Sequence, residues 1–217
     1  MAGLVDPAAT IGGPGDGRPA LLATTDHCKF CFDVLLAKLQ RKPLPEPSFA
    51  NNHLQAPLFV TWTKLNGDLR GCIGNFSDLE LGKGISEYAL IAALEDHRFD
   101  PIRLSEVPGL SVGVSLLVNF ENADHARDWE VGKHGIRISF RNPEDGRNCN
   151  ATFLPEVAKE QHWTIDETLA ALVRKAGCRL PLTEGLVQSI KLVRYQSSKA
   201  HLAYPEFLTY QNSATSS

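Results

Sequence analysis

Arg70 and Cys72, two residues apart on one extended run, are the pair in this chain with the chemistry both to bind and to react. Side chains alternate along a strand, so both are expected on one side of it. A guanidinium beside a thiol favours the thiolate. Gly71 and Gly74 remove side chains and let a ligand or a second backbone come close. The reading is an anion-friendly pocket, with Cys72 as candidate nucleophile or redox centre and Arg70, Gly71 and Gly74 as ligand-binding residues. The plain alternative is a packed strand cysteine, with Arg70 paired to a carboxylate. His134, within Gly132-Lys133-His134-Gly135, is the candidate base for Cys72. Its alternative is a solvent-facing turn histidine. Arg98 and Glu156 complete the ligand-binding candidates. Both also have a structural account: Arg98 favours the negative end of a helix, and Glu156 sits in a first turn after Pro155, where the dipole suits a carboxylate. Asp96 is expected to pair with an arginine.

Cys28-Lys29-Phe30-Cys31, with His27 beside it, is half of a zinc-site pattern. A second Cys-x-x-Cys is missing, and on a helix positions 28 and 31 share one face. Packed core thiols are therefore expected, with no metal. The chain has five cysteines, an odd number, and its Gly/Pro/Ala-rich start does not read as an export signal. Reduced thiols in an intracellular compartment, cytoplasm or nucleus, follow. Phosphate-loop, dinucleotide, serine-hydrolase and zinc-protease motifs are absent, and no cofactor is expected.

With 217 residues, 43% of them hydrophobic and 22% charged, the chain can bury a sizeable core. The formal net charge of −3 speaks against a dedicated duplex-DNA or anionic-membrane binder. No apolar run approaches the roughly 20 residues of a membrane span. A protein or RNA partner stays open, as does the oligomeric state.

Periodicity along the chain outlines the helices and strands that carry these residues. Residues 1–23 read as a flexible tail, residues 24–210 as one domain and 211–217 as a C-terminal tail. A helix is expected from Thr24 or Thr25 to about Gln40, followed by a stiff Lys42-Pro43-Leu44-Pro45-Glu46-Pro47 connector. Residues 58–65 and 68–76 read as strands joined by a two-residue Asn66-Gly67 turn. That turn pairs Lys64 with Leu69, Thr63 with Arg70, Trp62 with Gly71 and Thr61 with Cys72. Val60, Trp62, Leu69, Gly71 and Ile73 then form a core face, with Thr61, Thr63, Arg70 and Cys72 opposite. A helix over 85–96 and a strand over 110–120 follow. Strands 135–140 and 148–154 flank an Asn142–Gly146 hairpin loop. Pro155 opens a short helix, and Thr164 to Glu167 is a capping box for a helix that Gly177 stops. Residues 189–195 read as the last strand. Frequent hairpins without a regular strand–helix beat predict an α+β fold, with a mainly antiparallel or mixed sheet and packed helices.

Leu69-Arg70-Gly71-Cys72-Ile73-Gly74 resembles the hallmark hexapeptide of the AMMECR family. The likeness extends through Cys28 to Leu35, Pro57 to Trp62, Asp96-His97-Arg98-Phe99, Val114 to Leu117, Asp128 to Ile138 and Thr152 to Ala158, over about residues 24–210, in the eukaryotic branch. The resemblance implies two unequal lobes around a cleft. Similar prokaryotic domains occur beside Memo-type and radical S-adenosylmethionine proteins, which implies a modification pathway. No settled reaction comes with the family, so enzyme status stays open. Three functions are carried forward. The first is a domain whose cleft at the Arg70/Cys72 strand binds a small anionic or nucleobase-like ligand or a partner. The second is an enzyme using Cys72. The third is a non-catalytic regulatory or adaptor module.

Overall fold

The computed structural model describes residues 21–214. The expected N-terminal tail lies outside them as far as residue 20, while Leu21 and Ala23 pack against the core. Helices α1 (Thr25–Leu39), α2 (Leu81–Leu94), α3 (Pro155–Glu160), α4 (Ile165–Lys175), α5 (Glu184–Ser189) and α6 (Tyr204–Ala214) accompany six strands. The strands are β1 (Gln55–Lys64), β2 (Leu69–Glu80), β3 (Leu110–Asn122), β4 (Gly135–Arg141), β5 (Asn148–Phe153) and β6 (Lys191–Ala203). They hydrogen-bond in the order β2-β1-β3-β6-β4-β5, with β1 antiparallel to both β2 and β3, and β4 to β5. The fold is α+β, as expected. The chain divides into two compact units, a larger one of residues 21–118, 133–135 and 196 onward, and a smaller one of 119–132 and 136–195.

In the larger unit, α1, α2 and the β1–β3 ladder enclose one apolar core. Alternation along β1 sends Leu58, Val60 and Trp62 inward, all fully buried. Trp62 donates its indole N–H to the Ala89 carbonyl at 3.0 Å, which pins α2 to β1. Phe32 packs edge-on against Trp62 at 5.2 Å and tilted against Phe207 at 5.0 Å, so α6 closes the core. Cys28 and Cys31 lie on the buried face of α1, as expected of core thiols, and burial pushes Cys28 up to about 12.

Several boundaries differ from the sequence reading. α2 starts at Leu81, not Ile85, because Gly82 and Gly84 are packing positions. A Cβ on Gly84 would lie 2.9 Å from Leu58 Cδ2, and one on Gly82 2.8 Å from Pro47 Cγ. Burial overrides the poor helix propensity of glycine. β6 runs eight residues beyond Tyr195, where the expected strand ends, through the polar Gln196 to Lys199 run. α5, α6 and a 3-10 helix over Leu104–Gly109 carry no strong sequence signal. Residues 211–214, read as tail, belong to α6, and 215–217 lie outside the described residues.

His27 is fully buried, with its ring edge-on to Phe49 at 4.6 Å. Its Nδ1 accepts the Thr24 backbone N–H at 3.0 Å, so the proton sits on Nε2, which donates to Asn51 Oδ1 at 2.8 Å. Desolvation lowers its affinity for a second proton, against the Asn51 bond and the charge of Asp26. A lowered folded-state value means that the unfolded chain takes the proton first. Stability is therefore complete above about pH 6.5 and falls as the pH drops below it. Denaturant titrations should show less stability at pH 5.5 than at pH 7.5, with His27→Gln removing most of that difference. An unchanged slope in the variant contradicts the assignment.

In the smaller unit, the β4–β5 hairpin pairs Ile136 with Phe153 through Arg141 with Asn148, and Gly146 turns its loop at φ 69. The α4 capping box is present: Thr164 N donates to Glu167 Oε2 at 2.8 Å, and Glu167 N to Thr164 Oγ1 at 3.3 Å. Gly177 ends α4 at φ +84, with nothing near a would-be Cβ. Gly177→Ala should cost about 1 kcal/mol through backbone strain alone, read as a lower chemical-denaturation midpoint. An equal or higher midpoint counts against it.

Candidate functional site

The site begins at the β1–β2 turn. Gly67 donates to the Lys64 carbonyl at 2.9 Å and Lys64 to the Asp68 carbonyl at 2.8 Å, with Gly67 at φ +92. The loop therefore holds three residues, Leu65-Asn66-Gly67, instead of two. This is the alternative in which a left-handed glycine follows an ordinary turn. The register shifts accordingly: Thr63 faces Leu69, while Trp62 still faces Gly71 and Thr61 faces Cys72. One residue must be accommodated between these pairs, and Arg70 is a β-bulge without a cross-strand partner.

The bulge changes the two faces that alternation predicts. Leu69 is exposed, at 40%, instead of lying on the core face. Arg70 is buried, at 8% exposure, and paired to a carboxylate, as in the plain alternative. Its Nε and Nη2 donate to the two Glu106 carboxylate oxygens at 3.1 and 3.4 Å, while Nη1 is buried without a hydrogen-bond partner. Burial disfavours the Glu106 charge, but the Arg103 backbone N–H and the guanidiniums of Arg70 and Arg103 outweigh it and hold the carboxyl below its ordinary value. Gly71 faces α2, where a Cβ would overlap the Ala92 carbonyl oxygen. Gly74 is covered by Phe59, whose ring occupies the space of a Cβ. Thr61 and Cys72 share the opposite face as expected, with Oγ1 and Sγ 3.1 Å apart.

β2 ends the strand order, so half of its backbone groups look outward. Cys72 is such a residue. Its N–H donates to Asp96 Oδ2 at 2.9 Å, and its carbonyl accepts from Arg98 Nη2 at 3.1 Å. One carboxylate and one guanidinium thus take the place of a neighbouring strand. Asp96 also receives the Arg98 backbone N–H at 3.2 Å, Nε at 2.9 Å and Nη2 at 2.7 Å. The Asp96 side chain is 4% exposed and that of Arg98 56%. The Arg98 hydrogen bonds, aided by the Cys72 N–H, hold Asp96 well below the usual carboxylate range against desolvation. Asp96 in turn raises Arg98. Both guanidinium carbons lie near the Phe99 ring, Arg70 at 5.9 Å and Arg98 at 5.5 Å from its centroid.

The larger unit therefore gathers Arg70, Gly71, Cys72, Gly74 and Arg98 at one corner and adds Asp96, Phe99, Glu106 and Thr61. The expected pairing of Asp96 with an arginine is present, but its grip on the Cys72 backbone carries no sequence signal. Thr61 is Cys72's cross-strand partner in either register; Glu106 could not have been found, since it lies 36 residues from Arg70. His134 is 7% exposed, which corrects the solvent-facing reading. Glu156 is half-buried in the first turn of α3, in the smaller unit. Among the described residues no cluster of three or more His, Cys, Asp or Glu could hold a metal ion, and no helix is long and apolar enough to cross a membrane.

The AMMECR1 family profile matches residues 28–200. The chain belongs to the AMMECR1 family. An uncharacterised protein of Arabidopsis thaliana is 44% identical over 193 residues, covering 87% of this chain and 89% of that one. An uncharacterised protein of Schizosaccharomyces pombe is 36% identical over 189 residues, covering 84% and 94%. The crystal structure of an uncharacterised Pyrococcus horikoshii protein superposes with a TM-score of 0.64 at 24% identity, covering 83% of this chain and 91% of that one, and so shares the fold. For this AMMECR1 family member, Cys72 is half-exposed while the other four cysteines are buried. Mass-spectrometric mapping of iodoacetamide labelling on the native protein should find Cys72 modified first, by access. Labelling of Cys28 at an equal rate would contradict the placement.

Proposed function

We propose that this AMMECR1 family member is a ligand-binding domain whose β2 corner recognises an anionic group, with Arg98 as the contact and Cys72 as part of the frame. The observation that carries this reading is the state of the Arg98 fork. Nε and Nη2 are spent on Asp96 and the Cys72 carbonyl, and the side chain is 56% exposed. The fork is therefore held in one orientation, and Nη1 remains for an acceptor outside. A guanidinium fixed in advance loses less entropy on binding a carboxylate or phosphate. Phe99 beside it offers a face to a flat group. Arg70 is a poor anion contact, since it is buried against Glu106. The same pairing weakens the case for Cys72 as a nucleophile, because the cation expected to activate it is already matched.

The test is a thermal-shift screen of a metabolite library, nucleotides included, against wild type and Arg98→Lys. Lysine keeps a cation on Asp96 but removes the outward N–H groups. The reading expects anionic compounds that raise the wild-type midpoint and lose the effect in Arg98→Lys, whose own midpoint stays within a few degrees of wild type. Compounds that stabilise both proteins equally would remove Arg98 from the site and overturn it.

A further inference from the structure

We infer that the β2 edge next to Cys72 is a strand-addition site for the C-terminal end of an extended peptide, with the terminal carboxylate on Arg98. This rests on the proposed anion recognition and names its partner. The first support is hydrogen-bond parity. Cys72 turns its N–H and C=O away from β1, to Asp96 and Arg98. The β1–β2 register is unbroken from Thr61–Cys72 through Phe59–Gly74 to Leu58–Asn75. In an antiparallel ladder the outward residues recur every second position. Gly74 therefore also presents its N–H and C=O outward, on the terminal strand of the order.

Among the described residues, the Asp96–Arg98 pair meets this edge at Cys72 and no strand lies beyond it. An uncovered edge is a template for another extended chain. Gly74 has no side chain of its own to block the approach, and the Phe59 ring fills its Cβ space on one face. Phe76, next along the same face and 41% exposed, stands edge-on to Phe59 at 5.1 Å and offers an apolar contact to a partner side chain.

Direction and charge select the occupant. A peptide antiparallel to β2 and paired at Gly74 runs toward Cys72, and its next residues meet the guanidinium of Arg98. The end that arrives is the C-terminal one. A carboxylate there complements the outward Nη1, whereas an amide forfeits the charge-assisted bond. The edge is short, because the β1–β2 register shifts between the Leu58–Asn75 and Ala56–Leu79 pairs and ends the regular run. The peptide is thus read over its last few residues.

The experiment uses the full chain and a fluorescein-labelled hexapeptide of alternating threonine and valine, as the free acid and as the C-terminal amide. Fluorescence anisotropy should show the acid binding about tenfold more tightly than the amide, with the ratio falling to about threefold or less in Arg98→Lys. Amide hydrogen exchange by NMR should show the Gly74 N–H slowed about tenfold at saturating acid peptide. Equal affinities for acid and amide, or an unchanged Gly74 exchange rate, overturn the inference. So does a Gly74 amide already protected in the free chain, which assigns the edge to the chain's own segments. Protection that rises with protein concentration assigns it to a second copy and overturns it as well. Adenosine monophosphate binding that depends on Arg98 but leaves Gly74 exchange unchanged would sink the peptide and keep the anion reading. Failure of every anion to bind would sink both.

Discussion

Gly71→Ala should cost roughly 4 kcal/mol, beyond the usual range for an added methyl in a core. A Cβ there would overlap the Ala92 carbonyl oxygen, a backbone atom of α2 that cannot rotate away. The strain must be relieved by parting β2 from α2, which Trp62 of the neighbouring β1 holds in place through the Ala89 carbonyl. The same movement would pull the Cys72 N–H from Asp96, one residue along. Urea unfolding should show the loss, together with faster amide exchange at Cys72. Gly67→Ala is the contrast: nothing lies near its Cβ, so its cost is the positive-φ strain of about 1 kcal/mol. Equal midpoints for the two variants would refute the close approach.

Asp96→Ala should cost roughly 3 kcal/mol. The carboxylate is 4% exposed and accepts from the Cys72 N–H and from three Arg98 groups. Removing it strands the backbone N–H at the sheet edge and releases the Arg98 fork. Half of that fork is already in water, which keeps the loss below that of a fully buried pair. For a chain of this size the melting midpoint should fall by about 10 °C. Because Asp96 has a lowered value in the folded state, its contribution is complete above about pH 4 and is lost as the pH falls through the folded-state value. Wild type and Asp96→Ala should therefore converge in stability at strongly acid pH. A constant gap down to that range contradicts the ion-pair account.

The α+β class, the β1–β2 and β4–β5 hairpins, the buried Cys28/Cys31 face and the α4 capping box were legible because each rests on local turn chemistry or alternation. The bulge at Arg70 was not. Asn66-Gly67 suits either a two- or a three-residue loop, and the three-residue form goes with an Arg70–Glu106 pair 36 residues apart that local sequence does not announce. One inserted residue then separates Arg70 from the face of Cys72, which dissolves the sequence argument for an activated thiol. α2 begins four residues before the expected Ile85, because its first turn rests on the close packing of Gly82 and Gly84, which apolar periodicity does not register. The Asp96–Arg98 clamp was half legible: the ion pair follows from the spacing, but its substitution for a strand beside Cys72 requires knowing that β2 is an edge.

The central claim is that Arg98 recognises the ligand and Cys72 frames the corner. The most direct measurement is the dissociation constant of a compound retained from the screen for wild type, Cys72→Ser and Arg98→Lys, with intact-mass analysis of each complex. Serine keeps a hydroxyl for Thr61 and the same backbone for Asp96 and Arg98. Cys72→Ser should bind within about twofold of wild type, Arg98→Lys about tenfold more weakly, and no protein should carry added mass. Binding lost in Cys72→Ser and kept in Arg98→Lys, or an adduct on wild type that Cys72→Ser abolishes, would contradict it and make the thiol the working group.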